Sequence, residues 1–180
     1  IESDLTAIMQ KWLKQVVNAM NDPDNHVQKA EVPTGTVLGF LDNMEWWRSH
    51  TEELANLLIE KLIRLVQAGA ETARQQLKNR IDIRLDWELD LPGVRAWVEQ
   101  HAAELVKNVS ESVRNDIRQA ILDGLTQGRG WREMRDQIEE TVGLSGWRAE
   151  RIARTESIRA HAQGAIEGYK ASGTVAGIQW

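Results

Sequence analysis

The stretch Trp147-Arg-Ala-Glu-Arg-Ile-Ala-Arg-Thr-Glu-Ser157 opens the last helical segment of this 180-residue chain. Apolar and small side chains recur at the period of an α-helix from here to about residue 171. The spacing predicts one stripe along the helix, formed by Ile152, Thr155, Ile158, Ala162, Ile166 and Tyr169. Small residues beside this stripe should let a neighbouring helix approach closely: Ala153, Ala160, Gly164 and Gly168.

The same helical period covers much of the chain before this stretch. It predicts helices at residues 4–20, at about 41–77, over about thirty residues from Val94, and around 131–142. Gly69 is the weak point of the second helix, since glycine costs ~1 kcal/mol relative to alanine inside a helix. Ser145, just before the last helix, is a candidate cap for it. The predicted fold class is therefore mainly α, with long amphipathic helices.

Residues 81–91 interrupt the helical period. Apolar residues occupy every odd position from Ile81 to Leu91, and charged residues occupy every even position between them. Strict alternation predicts an extended strand with one face buried and one face in water. A strand cannot satisfy its backbone groups alone, so this one must pair with another segment or with a second chain. Residues 174–180 are the other strand-like segment, and pairing with a second copy would make a homo-oligomer.

Composition and charge limit the classes of protein that this chain can represent. Its 42% hydrophobic content is enough for a folded core, and it has no cysteine for a disulfide framework or a catalytic thiol. No apolar run approaches the ~20 residues that span a bilayer, so we expect no membrane partner. The formal net charge is −5, and residues 1–60 hold ten acids against four bases, a net of −6. Because affinity for duplex DNA comes from neutralising phosphates, we expect any binding of packaged DNA to be weak.

No pattern of catalytic, cofactor-binding or metal-binding residues emerges. The acids of the alternating segment do not match a calcium loop, because Arg84 occupies an alternate site and the required glycine is missing. The four histidines are scattered and form no HExxH pair, and His101 to Glu104 is only an i,i+3 contact. No phosphate loop, dinucleotide fingerprint or nucleophile elbow is present. We therefore expect no catalytic residue, no cofactor and no metal.

The residues that remain form an ordered pattern in the last hundred positions. It consists of Arg148 and Ala149, then Ile152, Ala153, Arg154, Thr155 and Glu156, and finally Tyr169, Gly173 and Trp180. This signature resembles that of the phage Mu F-like head morphogenesis family, the minor head proteins of tailed phages and prophages. The resemblance covers roughly residues 80–180 and follows a helical N-terminal region at residues 1–79. The family pattern continues to Asp and His positions beyond the tryptophan, so we expect the domain to be truncated at its C-terminus.

The resemblance implies a low-copy protein of capsid assembly that is not an enzyme. Its expected partners are the portal protein and other head proteins, and its expected role is in packaging or delivery of the genome. Its location would be the bacterial host cytoplasm during assembly and the virion interior afterwards. Two alternatives remain: the carrier region of a phage-derived toxin or effector enzyme, and a generic helical oligomerisation module.

The centre of the signature has two interpretations. Arg154, Thr155 and Glu156 form either a contact site for a partner or a buried polar clasp that fixes the helix, and we favour the clasp. Arg154 and Glu156 project about 200° apart on a helix, so they cannot pair with each other. If Glu156 is buried with a partner, its loss should cost ~3–5 kcal/mol of stability.

Overall fold

The computed structural model describes residues 2–21, 39–80, 91–142 and 146–173. Five α-helices account for nearly all of them: α1 Glu2–Asn21, α2 Met44–Arg80, α3 Leu91–Thr126, α4 Trp131–Val142 and α5 Trp147–Ser172. Residues 39–42 form one further helical turn before α2. The prediction of a mainly α fold is confirmed.

The predicted extended segment lies almost wholly outside the described residues. Residues 81–90 and 174–180 belong to the parts of the chain that the structure does not describe, so the strand and its pairing stay predictions. The last residue of the predicted strand, Leu91, begins α3, and there the prediction is wrong. Pro92 is compatible with this early start. Proline has no backbone N–H, and in the first turn of a helix that N–H would have no hydrogen-bond partner.

Asn43 sets the start of α2. The sequence predicts one helix from about residue 41, whereas the structure has a short turn at 39–42, a break at Asn43, and then α2. The side-chain Oδ1 of Asn43 accepts a hydrogen bond from the backbone N–H of Trp46 at 3.1 Å. Asparagine is among the best residues for such a cap, because it satisfies an N–H that the first turn leaves free.

The helices α2 and α5 form the main packing unit of the molecule, and α1 packs against both of them. The N-terminal half of α2 lies against α3, which runs antiparallel to it. Arg114 of α3 donates two hydrogen bonds, at 2.7 and 3.1 Å, to the carbonyl of Leu41 in the turn before α2. The short α4 packs on α3. Buried apolar side chains from residue 5 to residue 160 belong to one hydrophobic core.

Close packing of α2 on α5 depends on glycine. A Cβ added to Gly164 would lie 1.9 Å from the carbonyl oxygen of Val66, and one added to Gly69 would lie 1.9 Å from that of His161. Contacts this short do not occur, so the two backbones touch where no side chain could fit. Gly69, predicted to be a weak point of its helix, thus makes the helix crossing possible.

Aromatic side chains fill the core where α1, α2 and the 39–42 turn meet. Trp12 and Trp47 are 3% and 2% exposed and contact each other edge to face. The indole N–H of Trp47 donates to the carbonyl of Phe40, and that of Trp12 donates to the carbonyl of His50. These two tryptophans therefore stabilise the core through their large apolar area without leaving a buried donor unpaired.

A salt bridge fastens the first turn of α1 to α2. Lys61 Nζ donates to Asp4 Oδ2 at 2.9 Å. This hydrogen bond lowers the pKa of the Asp4 carboxyl, so Asp4 stays ionised in mildly acidic solution. None of the helices within the described ranges has a stretch apolar enough, over sufficient length, to cross a bilayer.

Candidate functional site: the signature helix

The buried side of α5 contains the small residues that the sequence predicts for close helix packing, Ala153, Ala160, Gly164 and Gly168. Six small residues and one acid are buried: Ala149, Ala153, Glu156, Ser157, Ala160, Gly164 and Gly168. Ile158, a member of the predicted stripe, is 66% exposed, and Thr155 is exposed as well. The predicted stripe is therefore not the buried side of α5, although Ile152 is half-buried.

Residue size explains this difference. A stripe of alanine and glycine lets α5 lie directly on the backbone of α2, and bulky side chains on that face would separate the two helices. Dispersion contacts between closely packed backbones then replace the burial of large apolar side chains. The four-residue spacing of the small residues along α5 is the sequence signal for this face.

Glu156 lies at the centre of the buried side and has two partners. Its side chain is 7% exposed, and its Oε2 lies 2.5 Å from Nε2 of His101 in α3. Its Oε1 accepts a hydrogen bond at 3.0 Å from Arg159, one turn further along α5. An ionised carboxylate only accepts hydrogen bonds, so His101 donates from Nε2. The two donors satisfy one oxygen each, which is what a buried carboxylate requires.

His101 is held in place for this contact by Trp97. The two rings stack with their centroids 4.8 Å apart and their planes 10° from parallel. The acid nearest to His101 in the sequence is Glu104, whereas the structure places the His101 ring against Glu156, 55 residues away in the chain. In the sequence, His101 stands on the apolar face of α3, beside Val98 and Ala102. That position indicates a histidine that faces the core and needs a polar partner there.

Arg148 joins three helices at the start of α5. Its guanidinium donates to Asp116 Oδ2 at 2.6 Å and to Ser112 Oγ at 2.7 Å, both in α3. A longer contact of 3.4 Å reaches the carbonyl of Thr141 in α4. The Arg148 side chain is only 12% exposed. The planar guanidinium suits such a junction, because its donors point in fixed and different directions.

Arg154 and Thr155 lie on the opposite side of α5. The Arg154 side chain is 76% exposed, and its nearest carboxylate is that of Glu2, 4.0 Å away. The hydroxyl of Thr155 donates to the carbonyl of Arg151 within α5. Neither side chain is therefore held by the core.

These two residues belong to a continuous exposed surface that we call the outward face. Its members recur at helical spacing along one side of α5: Trp147, Arg151, Arg154, Thr155 and Ile158. The guanidinium of Arg151 lies over the ring of Trp147, 4.8 Å from its centroid, and Trp147 remains 48% exposed. The outward face thus combines an indole, an isoleucine and two arginines in water.

The remaining signature residues lie at the C-terminal end of α5. The phenol of Tyr169 donates to Oε1 of Gln76 in α2. Gly173 follows the helix in the left-handed conformation, with φ of 62°, and its N–H bonds to the carbonyl of Lys170. This conformation strains any residue with a Cβ, which explains glycine as the helix stop. Trp180 lies outside the described residues.

The first turn of α5 has a different cap from the predicted one. Gly146 precedes the helix with φ of 94° and makes no side-chain cap hydrogen bond. The predicted cap, Ser145, is outside the described residues.

An open groove borders the outward face where α1 begins. It has a volume of about 420 Å³ and is lined by Glu2, Leu65, Ser157, Ile158, His161 and Ala162. The Ser157 hydroxyl is buried and has no hydrogen-bond partner among the described protein atoms. The ring of His161 contacts Thr72 Oγ1 at 3.3 Å instead. Because the Thr72 hydroxyl already donates to the carbonyl of Ala68, His161 donates in this contact, so Ser157 and His161 are not arranged as nucleophile and base.

Within residues 2–21, 39–80, 91–142 and 146–173, no three His, Asp or Glu side chains come together as a metal site would require. Glu156 pairs with His101 and Arg159, whereas the side chain of Arg154 is largely exposed to solvent.

Comparisons with protein families, with curated proteins and with solved structures find no match to this chain.

Proposed function

We propose that this chain is a minor head protein of a tailed phage or prophage, with a structural role in capsid assembly rather than an enzymatic one. The observation that carries the proposal is the division of the signature between two sides of α5. Arg148, Ala149, Ala153 and Glu156 serve the packing of α5 in the fold, whereas Arg154 and Thr155 face solvent. The pattern of the Mu F-like family thus accounts for both a helical core and an exposed contact surface.

The outward face is the part of the molecule that meets other head proteins in this proposal. Tryptophan and arginine contribute most to protein interfaces, because each buries a large area and offers directional donors. Trp147, Arg151 and Arg154 present these groups within two turns of one helix. The portal protein is the partner that the family resemblance suggests, with assembly in the host cytoplasm and a final place in the virion interior.

Co-expression tests this function. The chain, carrying an affinity tag, is produced together with the portal protein of the same phage or prophage, and the complex is purified in moderate salt. We expect the portal protein to copurify, and we expect Arg154→Glu to remove it from the complex. Arg132→Glu is the matched control, because Arg132 is an exposed arginine on α4, away from the outward face.

Two results would contradict the proposal. In the first, neither the portal protein nor another head protein copurifies with the unaltered chain. In the second, purified heads contain no copy of the chain when it is produced throughout assembly. Equal melting temperatures for the two arginine variants are required, so that loss of the complex reports on the surface and not on folding.

A further inference from the structure

We infer that two copies of this chain dock through a groove between α2 and α3, with a two-fold axis between the copies. The α2–α3 groove is open and has a volume of about 470 Å³. Its walls lie within residues 44–55 of α2 and residues 103–114 of α3. None of the described residues of α5 lines it, so the inference goes beyond the proposed function and does not depend on it.

The α2–α3 groove has the side-chain spacing of a surface that packs against other helices. Its wall positions 44, 48, 51 and 55 on α2 are four, three and four residues apart, and so are positions 103, 107, 110 and 114 on α3. The seams of coiled coils and four-helix bundles have this spacing. Trp47 and Val106 make the floor apolar, and the small Ala55 and Ala103 leave room for side chains that enter from outside. The groove therefore suits a second pair of helices.

The antiparallel run of α2 and α3 fixes which residues stand level across the groove. At one end, the guanidinium of Arg114 lies 5.6 Å from the ring centroid of Trp47 and bonds to the carbonyl of Leu41. Residue 55 of α2 and residue 103 of α3 lie at the other end. The middle of the groove is therefore close to residue 50 on α2 and to residue 109 on α3. A two-fold axis that crosses the groove at this level places each helix antiparallel to its own copy.

The charges on both walls fit this axis. Each wall has one basic and one acidic residue, one on either side of the middle level: Arg48 and Glu52 on α2, and Lys107 and Glu111 on α3. The axis brings Arg48 opposite Glu52 of the second copy, and it brings Lys107 opposite Glu111 of the second copy. A wall with charges of one sign would repel itself in this arrangement. The balanced charge of the groove thus favours a second copy over an acidic or a basic partner.

The pairing of Arg48 within its own chain does not prevent this contact. Its Nε lies 3.0 Å from Oε1 of Glu52, and the two side chains are 81% and 64% exposed. Such exposed pairs contribute little to stability. The guanidinium has further N–H donors that can reach a second carboxylate. The two arginines and two glutamates of a pair of copies can therefore join in one network around the axis.

Met44 supplies the apolar part of the contact. It stands at one end of the groove and is 60% exposed. The axis places it opposite Ala55 of the second copy, which is small enough to receive it. Methionine adapts to such a gap because its side chain is unbranched and flexible. The same contact forms twice, once at each end of the interface.

The size of the contact predicts a weak dimer. Each wall is about 17 Å long, or about three helical turns. Two helices of this length cover less than the ~800 Å² per partner that a standard stable complex buries. We therefore expect a dissociation constant of about 10–100 µM.

Charge reversal on α2 provides the direct test, with sedimentation equilibrium of the full chain from about 5 µM to about 500 µM as the measurement. The unaltered chain should form a reversible dimer. Arg48→Glu places acid opposite acid, and Glu52→Arg places base opposite base, so each should weaken self-association about tenfold. The double variant Arg48→Glu/Glu52→Arg restores opposite charges and should dimerise like the unaltered chain. An equimolar mixture of the two single variants should form a heterodimer, because each supplies the charge that the other needs.

Further variants locate the interface. Met44→Asp should also weaken the dimer about tenfold. Leu57→Asp is its matched control, because Leu57 is 43% exposed on the side of α2 that lies beside α1. Arg132→Glu is the control for charge, because Arg132 is exposed on α4 and does not line the groove. Both controls should dimerise like the unaltered chain. All variants should retain its helical circular dichroism and melting temperature.

Three outcomes would overturn the inference. A chain that stays monomeric up to about 500 µM has no such dimer. A dimer that survives both single charge reversals and Met44→Asp has its contact outside the groove. If neither the double variant nor the mixture of single variants associates, Arg48 and Glu52 do not pair across a two-fold axis. None of these outcomes bears on the proposed function, because Arg154 does not line the groove.

Discussion

Glu156 and Arg154 stand two residues apart in α5 and have opposite environments. Glu156 is buried and accepts hydrogen bonds from His101 and Arg159, whereas Arg154 is largely in water. The clasp interpretation therefore fits Glu156, and the contact-site interpretation stays a prediction for Arg154. The clasp is formed by Glu156, and the candidate contact residue is Arg154.

Glu156→Ala should destabilise the protein by about 3–5 kcal/mol, because it removes one half of a buried pair and leaves the His101 donor without an acceptor. Arg154→Ala should change stability by less than about 0.5 kcal/mol, as expected for an exposed side chain. Glu156→Gln is the conservative control, since its amide oxygen can still accept from His101. Urea unfolding followed by circular dichroism measures all three variants, and equal stability of the two alanine variants would refute the clasp.

The hydrogen bonds of Arg148 to Asp116 and Ser112 should also contribute to the stability of the fold. Arg148→Lys keeps the charge but cannot reach Asp116 and Ser112 with two separate nitrogens, so we expect a loss of about 1–2 kcal/mol. Arg132→Lys, on the exposed side of α4, should be neutral. Urea unfolding of both variants makes the comparison. A neutral result for Arg148→Lys would show that one ionic contact is enough at this junction.

The sequence could predict that Glu156 needs a partner, but it could not predict which one. The angle between Arg154 and Glu156 follows from helix geometry alone. The pairing with His101 depends on the register in which α3 and α5 are packed, over 55 positions of chain. Local spacing holds no information about that register.

Helices are the scale at which the sequence is most informative. The hydrophobic period predicts α1 at residues 4–20 and the last helix at about 147–171, and the structure has Glu2–Asn21 and Trp147–Ser172. Period alone did not predict which side of α5 is buried, because it ranks residues by hydrophobicity and takes no account of size. Small residues on both helices decide the α2–α5 contact, and bulky apolar residues such as Ile158 are left outside.

Gly164→Ala tests this account of helix packing. The added methyl group would lie 1.9 Å from the Val66 carbonyl oxygen, so α2 and α5 must separate. We expect a loss of about 1–3 kcal/mol or more, despite the higher helix propensity of alanine. Gly39→Ala is the control, because Gly39 is exposed, lies in a helical turn and has no atom within 4 Å of the added group. The control should be neutral or slightly stabilising in thermal unfolding. A neutral Gly164→Ala would mean that the two backbones are not in contact.

The whole molecule combines an apolar core with a surface on which many charges are paired. A single core contains buried side chains from residues before position 80 and from residues after it. The predicted division of the chain into regions 1–79 and 80–180 stays a prediction. Among the described residues, several surface cations lie beside carboxylates: Arg48 beside Glu52, Lys61 beside Asp4, Arg95 beside Glu99, Arg118 beside Asp42, and Arg135 beside Asp136 and Glu139. A cation beside an acid contributes little to attracting a distant polyanion.

We therefore expect the isolated protein to bind random-sequence duplex DNA weakly, with a Kd above about 10 µM at about 150 mM salt. The net charge of −5 repels the duplex. The outward face has two exposed arginines, Arg151 and Arg154, and the carboxylates of Glu2 and Glu150 lie close to them. A face of this size neutralises at most about two phosphates, so the affinity should fall only slightly with added salt. Fluorescence anisotropy over a salt series measures both quantities, with Arg154→Glu as the comparison variant. A submicromolar affinity that falls steeply with salt would show that a basic surface exists elsewhere on the chain, and DNA would then replace head proteins as the first partner to consider.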